Sequence, residues 1–586
     1  MGKRILVWAY IVGVMFIVFF LRLWDLQIVK GGEYKRLAEQ NRLRVIEIPA
    51  PRGVIYDRND IPLVRNIPSF DISVVREDLP QDPESLAAIG RLIGLSAAEI
   101  EDRVEKGGED PFGPVKLKQD VSFEEVARVE ARRVDFPGLQ VEVVISRDYI
   151  YGELASHVIG YLGRLTLEQA RDPDYAGVPM RAFIGQRGIE KVYDRVLRGT
   201  AGEKIIEVDA RGRVIKVAGI QPPVKGEDLK LTIDLKLQSE AEDALGGRAG
   251  AVVALDANSG EVLVMASTPA FDPNLFARGI NYSDWKRLAR DPKKPFLNRA
   301  LQSQYPPGST FKIISALAAL EQGIIKSSTR YQCRGSIDIG GRVFKCWKEQ
   351  GHGSTDLYKA IVESCDVYFY EIAKKIGIDT LSKYATDFGL GSPTGIELAG
   401  ERSGIVPSAE WKLRTKKEKW FTGETLNTVI GQGYLSTTPI QMARLMSAVV
   451  NGGRLNKPHL LKGQDDRGKA GSTVNISPEN TRVIKKALMG VVADKTGTGR
   501  RAASDIVSIG GKTGTTQVVG GKKFSGKDIP ERYRDHAWFV AFAPEDKPEI
   551  AIAVFVEHGG HGSTAAAPIA KRVIEKYFKK EVVSTE

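Results

Sequence analysis

The chain has 586 residues, 42% of them hydrophobic and 27% charged. That is ordinary globular composition with apolar side chains enough for a sizeable core, and the length predicts two or three domains. The net charge of +11 (84 Lys and Arg against 73 Asp and Glu) suits an acidic polymer or anionic lipid; scattered basic residues and the lack of a basic arm interleaved with aromatics exclude a nucleic-acid partner from the reading.

Behind Met1-Gly2-Lys3-Arg4 comes the uncharged run ILVWAYIVGVMFIVFFL, residues 5–21. At ~1.5 Å per residue, roughly 17–20 helical residues nearly cross the hydrocarbon core. Arg22 can snorkel and Trp24 can sit at the interface. A cleaved signal peptide is the rival, but the run is long for one and no small-x-small site follows. The expectation is a cytoplasmic tail over 1–4 and a transmembrane anchor over 5–23. Lys3 and Arg4 favour the N-terminus inside, so the bulk of the chain lies outside the cytoplasm.

Beyond the anchor, NRLRVIEIPAPRGVIYDRNDIPLVRN alternates like extended segments and breaks at Pro51 and at Asn59-Asp60. PESLAAIGRLIG and FEEVARVEARR have helical spacing. The linker is GIQPPVKGED, residues 219–228. After it, LKLTID and AGAVVALDANSGEVLVMAST read as strands, the second a hairpin turned at Asn258-Ser259-Gly260. A helix-rich middle follows from about 282 to 450. Strands return at DIVSIGGKTGTTQVV, HAWFVAFAP and EIAIAVFVE, and AAAPIAKRVIEKYFKK closes as a helix. Strands at both ends of a helical middle predict one antiparallel sheet in a large α/β domain.

Three short signals carry the chemistry. Ser309-Thr310-Phe311-Lys312 opens a helix after Pro306-Pro307-Gly308, which puts Ser309 and Lys312 on one face. A hydroxyl needs a base to become a nucleophile, and a lysine of depressed pKa can serve. Backbone N–H groups at that helix start can help hold an oxyanion. Ser283-Asp284-Trp285-Lys286 has the same spacing but reads as a solvated helix face. Ser364-Cys365-Asp366 stands at a break before an aromatic helix; alone it reads equally as an N-cap. Lys-Thr-Gly-Thr occurs twice. Lys495 lies in the loop after the helix SPENTRVIKKALMGVVAD, with Gly497 and Gly499 as turn residues. Lys512 lies within a strand that runs on into Gln517-Val518-Val519, and the bare Gly514 lets a substrate backbone approach. Thr513 and Thr515 add hydroxyls for a carboxylate, so the second copy is the candidate.

Ser-x-x-Lys, Ser-x-Asp and Lys-Thr-Gly in this order resemble the penicillin-recognising serine acyl-transferases. RGVIYDRN (52–59), HVIGYLGR (157–164), GIEKVYDRVLRGTAGEK (188–204), YPPGSTFK (305–312), GQGYLSTTPIQMA (431–443) and GKTGTTQV (511–518) are similar to class B penicillin-binding proteins of the elongation-specific type. CWKEQGHG and Asp366 favour that type over the division-specific one. The resemblance implies an α/β (α+β) multidomain chain: an anchor helix, an elongated mixed α/β pedestal over 24–225 for dimerisation-like or partner contacts, a transpeptidase domain over 226–580 with a central antiparallel five-stranded sheet flanked by helices, and a tail over 581–586.

It also implies a D,D-transpeptidase of the inner membrane, without organic cofactor, that cross-links peptidoglycan stem peptides and is inhibited by β-lactams. Ser309 would be the nucleophile and Lys312 the base. Ser364 and Lys512 would relay the proton, and the N–H groups of Ser309 and Thr515 would form the oxyanion hole. Asp366 and the Thr513-Gly514-Thr515 strand would bind substrate. A SEDS-type glycosyltransferase (RodA) and rod-complex proteins are the implied partners. A D,D-carboxypeptidase and a β-lactam-sensing receptor share the acylation step and stay as alternatives.

The cysteines Cys333, Cys346 and Cys365 fall close together with His352. One reading is a Cys333–Cys346 disulfide across the turn at Gly340-Gly341, with Cys365 free. The other is a Cys₃His structural zinc site, and elongation-type relatives carry a metal site of Asp, His and Cys in this region. His558 and His561, near His536, read as solvated turn residues.

Overall fold

The computed structural model describes residues 2–76, 79–80, 82–107, 114–136, 138–180, 182–208, 214–277, 279–463, 471–518 and 530–579. Val519 and the expected tail over 581–586 lie outside them. The described chain forms two compact units.

The first unit comprises residues 1–53, 66–146 and 195–227. Its helix Gly2–Trp24 continues through a π turn to Val29, is long and apolar enough to cross a membrane, and buries none of its side chains. The helix thus outruns the expected 5–23 span, and Arg22 pairs with Asp25 at 2.8 Å where the α-helix gives way to the π turn. Strands Leu43–Ile48, Gly202–Val208 and Val214–Gln221 form an antiparallel sheet. A separate core joins Ile72 and Val74 to helices Pro83–Ile93, Ala97–Lys106 and Phe123–Ala131 through Leu86, Ile89, Ile100 and Val129. Each helix starts on a side-chain cap: Asp82, Ser96 and Ser122 accept the N–H of Ser85, Glu99 and Glu125.

The second unit comprises residues 54–65, 147–194 and 228–586. Its centre is a five-stranded antiparallel sheet of β1 (Gly250–Asp256), β2 (Val262–Thr268), β3 (Gly510–Thr516), β4 (His536–Ala543) and β5 (Ile550–Val556), in the order β2-β1-β5-β4-β3. Every residue of β4 and β5 is buried. Helices Leu235–Leu245 and Ala567–Phe578 supply Leu237, Ala241, Ile569 and Val573 to one face, and Pro439–Val450 packs on the sheet as well. A sheet covered on both faces reads as continuous apolar runs, as HAWFVAFA and IAIAVFV do. β3 is an edge strand, in register with β4 as Lys512 opposite Val540 and Thr515 opposite Ala537.

Two of the quoted motifs prove to be structural ties within this unit. Asp57 of RGVIYDRN accepts the N–H groups of Asn59, Ile61 and Leu235. Glu190 of GIEK pairs with Arg147 at 2.8 Å, both side chains fully buried.

Candidate active site and metal centre

Ser309 lies in a single 3₁₀ turn, Gly308–Phe311, that feeds the α-helix Lys312–Glu321. The expected helix start at Ser309 thus begins with a 3₁₀ turn, set where Gly308 meets Gly431 and Thr515. Nine consecutive residues of the helix, Lys312 to Leu320, are buried, so Ser309 at its mouth is the half-exposed member.

Two glycines bring this turn onto β3. Gly308 has φ +56°, and a Cβ there would stand 2.7 Å from the Thr515 carbonyl oxygen. A Cβ on Gly514 would stand 2.7 Å from the Pro307 carbonyl. Both gaps are too small for any side chain, so the backbones of the Ser309 turn and of Thr515 are in direct contact. The Gly308 N–H donates to Gly431 O at 2.9 Å, and Gln432 Nε2 donates to Thr515 O at 3.4 Å, which gives GQGY a share in this junction.

Ser364 follows the helix Leu357–Val362 and precedes Asp366–Ile376, whose N-cap is Cys365 rather than Asp366. Its φ is +56°, the left-handed region, which costs a residue bearing a Cβ about 1–2 kcal/mol. The distortion aims Ser364 Oγ between two amines: Lys312 Nζ donates to it at 3.2 Å and Lys512 Nζ at 3.0 Å. Lys312 Nζ also donates to Ser364 O at 2.9 Å and to Asp366 Oδ1 at 2.6 Å. Asp366 Oδ2 accepts the Trp347 N–H at 3.0 Å. Both lysine side chains have no solvent exposure. Burial first, and the charge of Lys312 second, hold the Lys512 amine well below the ordinary lysine range. One carboxylate thus faces two buried amines. Thr513 hydrogen-bonds Thr498 at 3.0 Å.

The chain therefore brings together Ser309, Lys312, Ser364, Asp366, Lys512, Thr513, Gly514 and Thr515. Ser283 lies on the exposed helix Tyr282–Arg290, with its hydroxyl on the Asn281 cap. Lys495 is exposed in the loop after Pro478–Ala493. Trp347, Gln432 and Thr498 lie within quoted motifs but had no role assigned to them, because the partners that give them one, Asp366, Thr515 and Thr513, stand elsewhere in the chain.

Cys333, Cys346, His352 and Cys365 form a second constellation, all buried, with ligand atoms within 4.8 Å of one another. None of the three cysteines is disulfide-bonded, so the alternative Cys333–Cys346 bridge is not formed. The expected turn at Gly340-Gly341 is present and joins the strands Ser336–Ile339 and Arg342–Lys345. His352 Nδ1 stands 3.5 Å from both Cys333 Sγ and Cys346 Sγ. Tetrahedral zinc with Zn–S of ~2.3 Å and Zn–N of ~2.1 Å sets such ligand pairs roughly 3.6 Å apart, so the donor set and its spacing fit a metal ion. The other ring nitrogen, Nε2, is 3.9 Å from Glu363 Oε2, where a carboxylate can orient a ligating imidazole. Hydrogen bonding from Cys365 chiefly, and from His352, favours Cys346 as the thiolate, while Cys365 keeps its proton. The cluster adjoins the Ser364 loop directly: Cys365 separates Ser364 from Asp366, and the Asp366 N–H donates to Cys346 Sγ at 3.4 Å.

His536, by contrast, is buried among Tyr305, Phe555 and His558, and burial pushes its pKa down to about 4. His558 is half-buried and donates its N–H to His536 Nδ1 at 3.0 Å. The solvated-turn reading holds for His561 alone, which is exposed.

Fold and site together define a penicillin-recognising serine acyl-transferase, and comparison with known proteins agrees. The penicillin binding protein transpeptidase domain family matches residues 250–575, and the penicillin-binding protein dimerisation domain family matches residues 47–231. The chain is 36% identical to the peptidoglycan D,D-transpeptidase MrdA of Haemophilus influenzae, across 97% of this chain and 90% of that one. It is also 36% identical to MrdA of Escherichia coli K12, across 95% and 91%. Among solved structures, penicillin-binding protein 2 of Helicobacter pylori in complex with MreC superposes with TM-score 0.81 at 31% identity, covering 92% of this chain and 98% of that one. A chain of a peptidoglycan synthase complex, solved to show how polymerization and crosslinking are coordinated, gives TM-score 0.73 at 30% identity, with 99% of each covered. The chain belongs to the class B penicillin-binding proteins, in the penicillin-binding protein 2 group. The resemblance read from its motifs is borne out.

Proposed function

We propose that this protein is a peptidoglycan D,D-transpeptidase that works through a Ser309 acyl-enzyme. The observation that carries the reading is Ser364 Oγ, held between Lys312 Nζ and Lys512 Nζ beside the Ser309 turn. Ser309 Oγ attacks the carbonyl carbon between the two terminal D-alanines, and its proton passes to Lys312 Nζ. That step requires a neutral Lys312, and Ser364 Oγ, within hydrogen-bond reach of both amines, gives a proton a path between them. The N–H groups of Ser309 and Thr515 stabilise the tetrahedral oxyanion. Collapse breaks the C–N bond, and Ser364 with Lys512 delivers a proton to the departing D-alanine. A stem-peptide amine of a neighbouring strand then attacks the ester, forms the cross-link and releases Ser309. β-Lactams acylate the same oxygen. Thr513 and Thr515 bind the terminal carboxylate along the β3 edge.

Cys333, Cys346, His352 and Cys365 would hold a structural zinc ion. When bound, it would supply a fixed charge centre that pins Cys365, and with it the backbone of Ser364 and Asp366. The helix Gly2–Val29 anchors the chain in the cytoplasmic membrane once, with Lys3 and Arg4 inside and the catalytic unit outside. Residues 24–225 serve as a pedestal without chemistry of their own, toward an MreC-like scaffold and a RodA-type glycosyltransferase.

Labelling with fluorescent penicillin tests the assignment. Wild type and Ser283→Ala take the label and Ser309→Ala does not. Label surviving in Ser309→Ala, or lost in Ser283→Ala, would overturn it.

A further inference from the structure

The Lys-Thr-Gly-Thr copy that lies outside β3 reaches the site through its last residue. Thr498 Oγ1 accepts from Thr513 Oγ1 at 3.0 Å and donates to Val362 O at 3.3 Å. The Thr498 N–H donates to the same carbonyl at 3.2 Å. Val362 ends the helix that leads into Ser364, and Thr513 adjoins Lys512, so one side chain ties the two segments that meet at Ser364 Oγ. The first copy is held in place by close packing. A Cβ on Gly497 would stand 2.4 Å from Val491 O, and the Gly499 N–H donates to that oxygen at 2.8 Å.

A hydroxyl has one proton and two lone pairs. In the arrangement above, the Thr513 proton is spent on Thr498, so Thr513 offers an incoming carboxylate only lone pairs, which repel it. The chain of hydroxyls can reverse. Thr498 then donates to Thr513, and Thr513 donates outward. The reversal is cheap because Val362 O keeps the Thr498 N–H as its donor, so no buried acceptor is left unpaired.

We infer that Thr498 is a positioning residue for substrate recognition: its hydroxyl fixes the Thr513 hydroxyl at the β3 edge and, by reversing, donates to Thr513 Oγ1 while the Thr513 proton turns to the terminal carboxylate of the stem peptide or β-lactam. Without it Thr513 loses the hydrogen bond that aims it. The inference rests on the acyl-transferase reading of Ser309.

The experiment is stopped-flow acylation by a penicillin of the full chain, comparing wild type, Thr498→Val, Thr498→Ala, Thr498→Ser, Thr513→Val and the Thr498→Val/Thr513→Val pair, with Ser309→Ala as control. Expected is a loss of roughly 3–10-fold in the second-order acylation constant for Thr498→Val and Thr498→Ala, the worth of one hydrogen bond. The loss falls on the apparent dissociation constant rather than on the limiting acylation rate, Thr498→Ser restores it, and the double variant matches Thr513→Val alone. Wild-type acylation in both Thr498→Val and Thr498→Ala, no rescue by serine, or losses that multiply in the double variant would overturn the inference. Thr498→Ala carries the comparison if the valine variant does not fold. Acylation surviving in Ser309→Ala would instead sink the acyl-transferase reading itself.

Discussion

Asp366 Oδ1 lies 2.6 Å from Lys312 Nζ, and the second carboxylate oxygen takes the Trp347 N–H. Both oxygens are engaged within the protein, so Asp366 acts on the charge of the amine pair, and its contact with a substrate amide would have to share an oxygen. Its negative charge opposes the depression of Lys512. Asp366→Asn removes that charge, so neutral amine forms at lower pH. The acidic limb of the acylation pH profile is expected to move down, with loss of rate from the misplaced Lys312. An unmoved limb would separate Asp366 from the titration.

Lys512 is buried at a cost in stability. Its folded pKa is depressed, so between that value and the ordinary lysine value near 10.5 the unfolded chain binds more protons. Stability contributed by this site therefore rises with pH through that window. Below it both states are protonated, and the burial penalty is carried in full. Lys512→Met is expected to lose penicillin acylation by ~10²–10⁴-fold while its Tm at neutral pH stays level or rises. A variant that loses both would show Lys512 to be structural.

Gly308 joins the Ser309 turn to β3 with no room to spare. Gly308→Ala puts a Cβ against Thr515 O in a left-handed conformation, which alone costs about 1–2 kcal/mol. Thermal unfolding should show the loss, with a larger drop in acylation as Ser309 and Thr515 move apart. Wild-type acylation in this variant would argue against an oxyanion hole shared by these two residues.

Removal of metal should be felt at the same loop. At a free metal concentration of ~100 Kd, bound zinc adds about 2.7 kcal/mol, and at ~2.1 cal/mol/K of unfolding entropy per residue a unit of roughly 400 residues shifts about 1 °C per kcal/mol. A chelator is expected to lower Tm by about 3 °C and slow acylation, with zinc restoring both. Elemental analysis without zinc, together with mass spectrometry showing a disulfide, would remove the metal from the account.

Much of this was legible in residue order. The three motifs, the helix caps and the apolar strands are local patterns, and the sequence separates Lys512 from Lys495 because one stands in a strand and the other follows a helix. Other features depend on approach between distant segments. The 3₁₀ turn under Ser309 is set where Gly308 meets Gly431 and Thr515. The burial of His536 comes from Tyr305 and Phe555, and Thr498 gains its role from Val362 and Thr513. Identical letters in the two tetrapeptides concealed that the copies touch.

Cys365 occupies the middle position of Ser-x-Asp, a place where many side chains would serve the acyl-transfer reaction equally well. Here that freedom is gone, since the same residue belongs to the cysteine–histidine cluster. A substitution at this middle position, silent for acyl transfer itself, would unseat one of the four buried side chains of the cluster and loosen the backbone that carries Ser364 and Asp366.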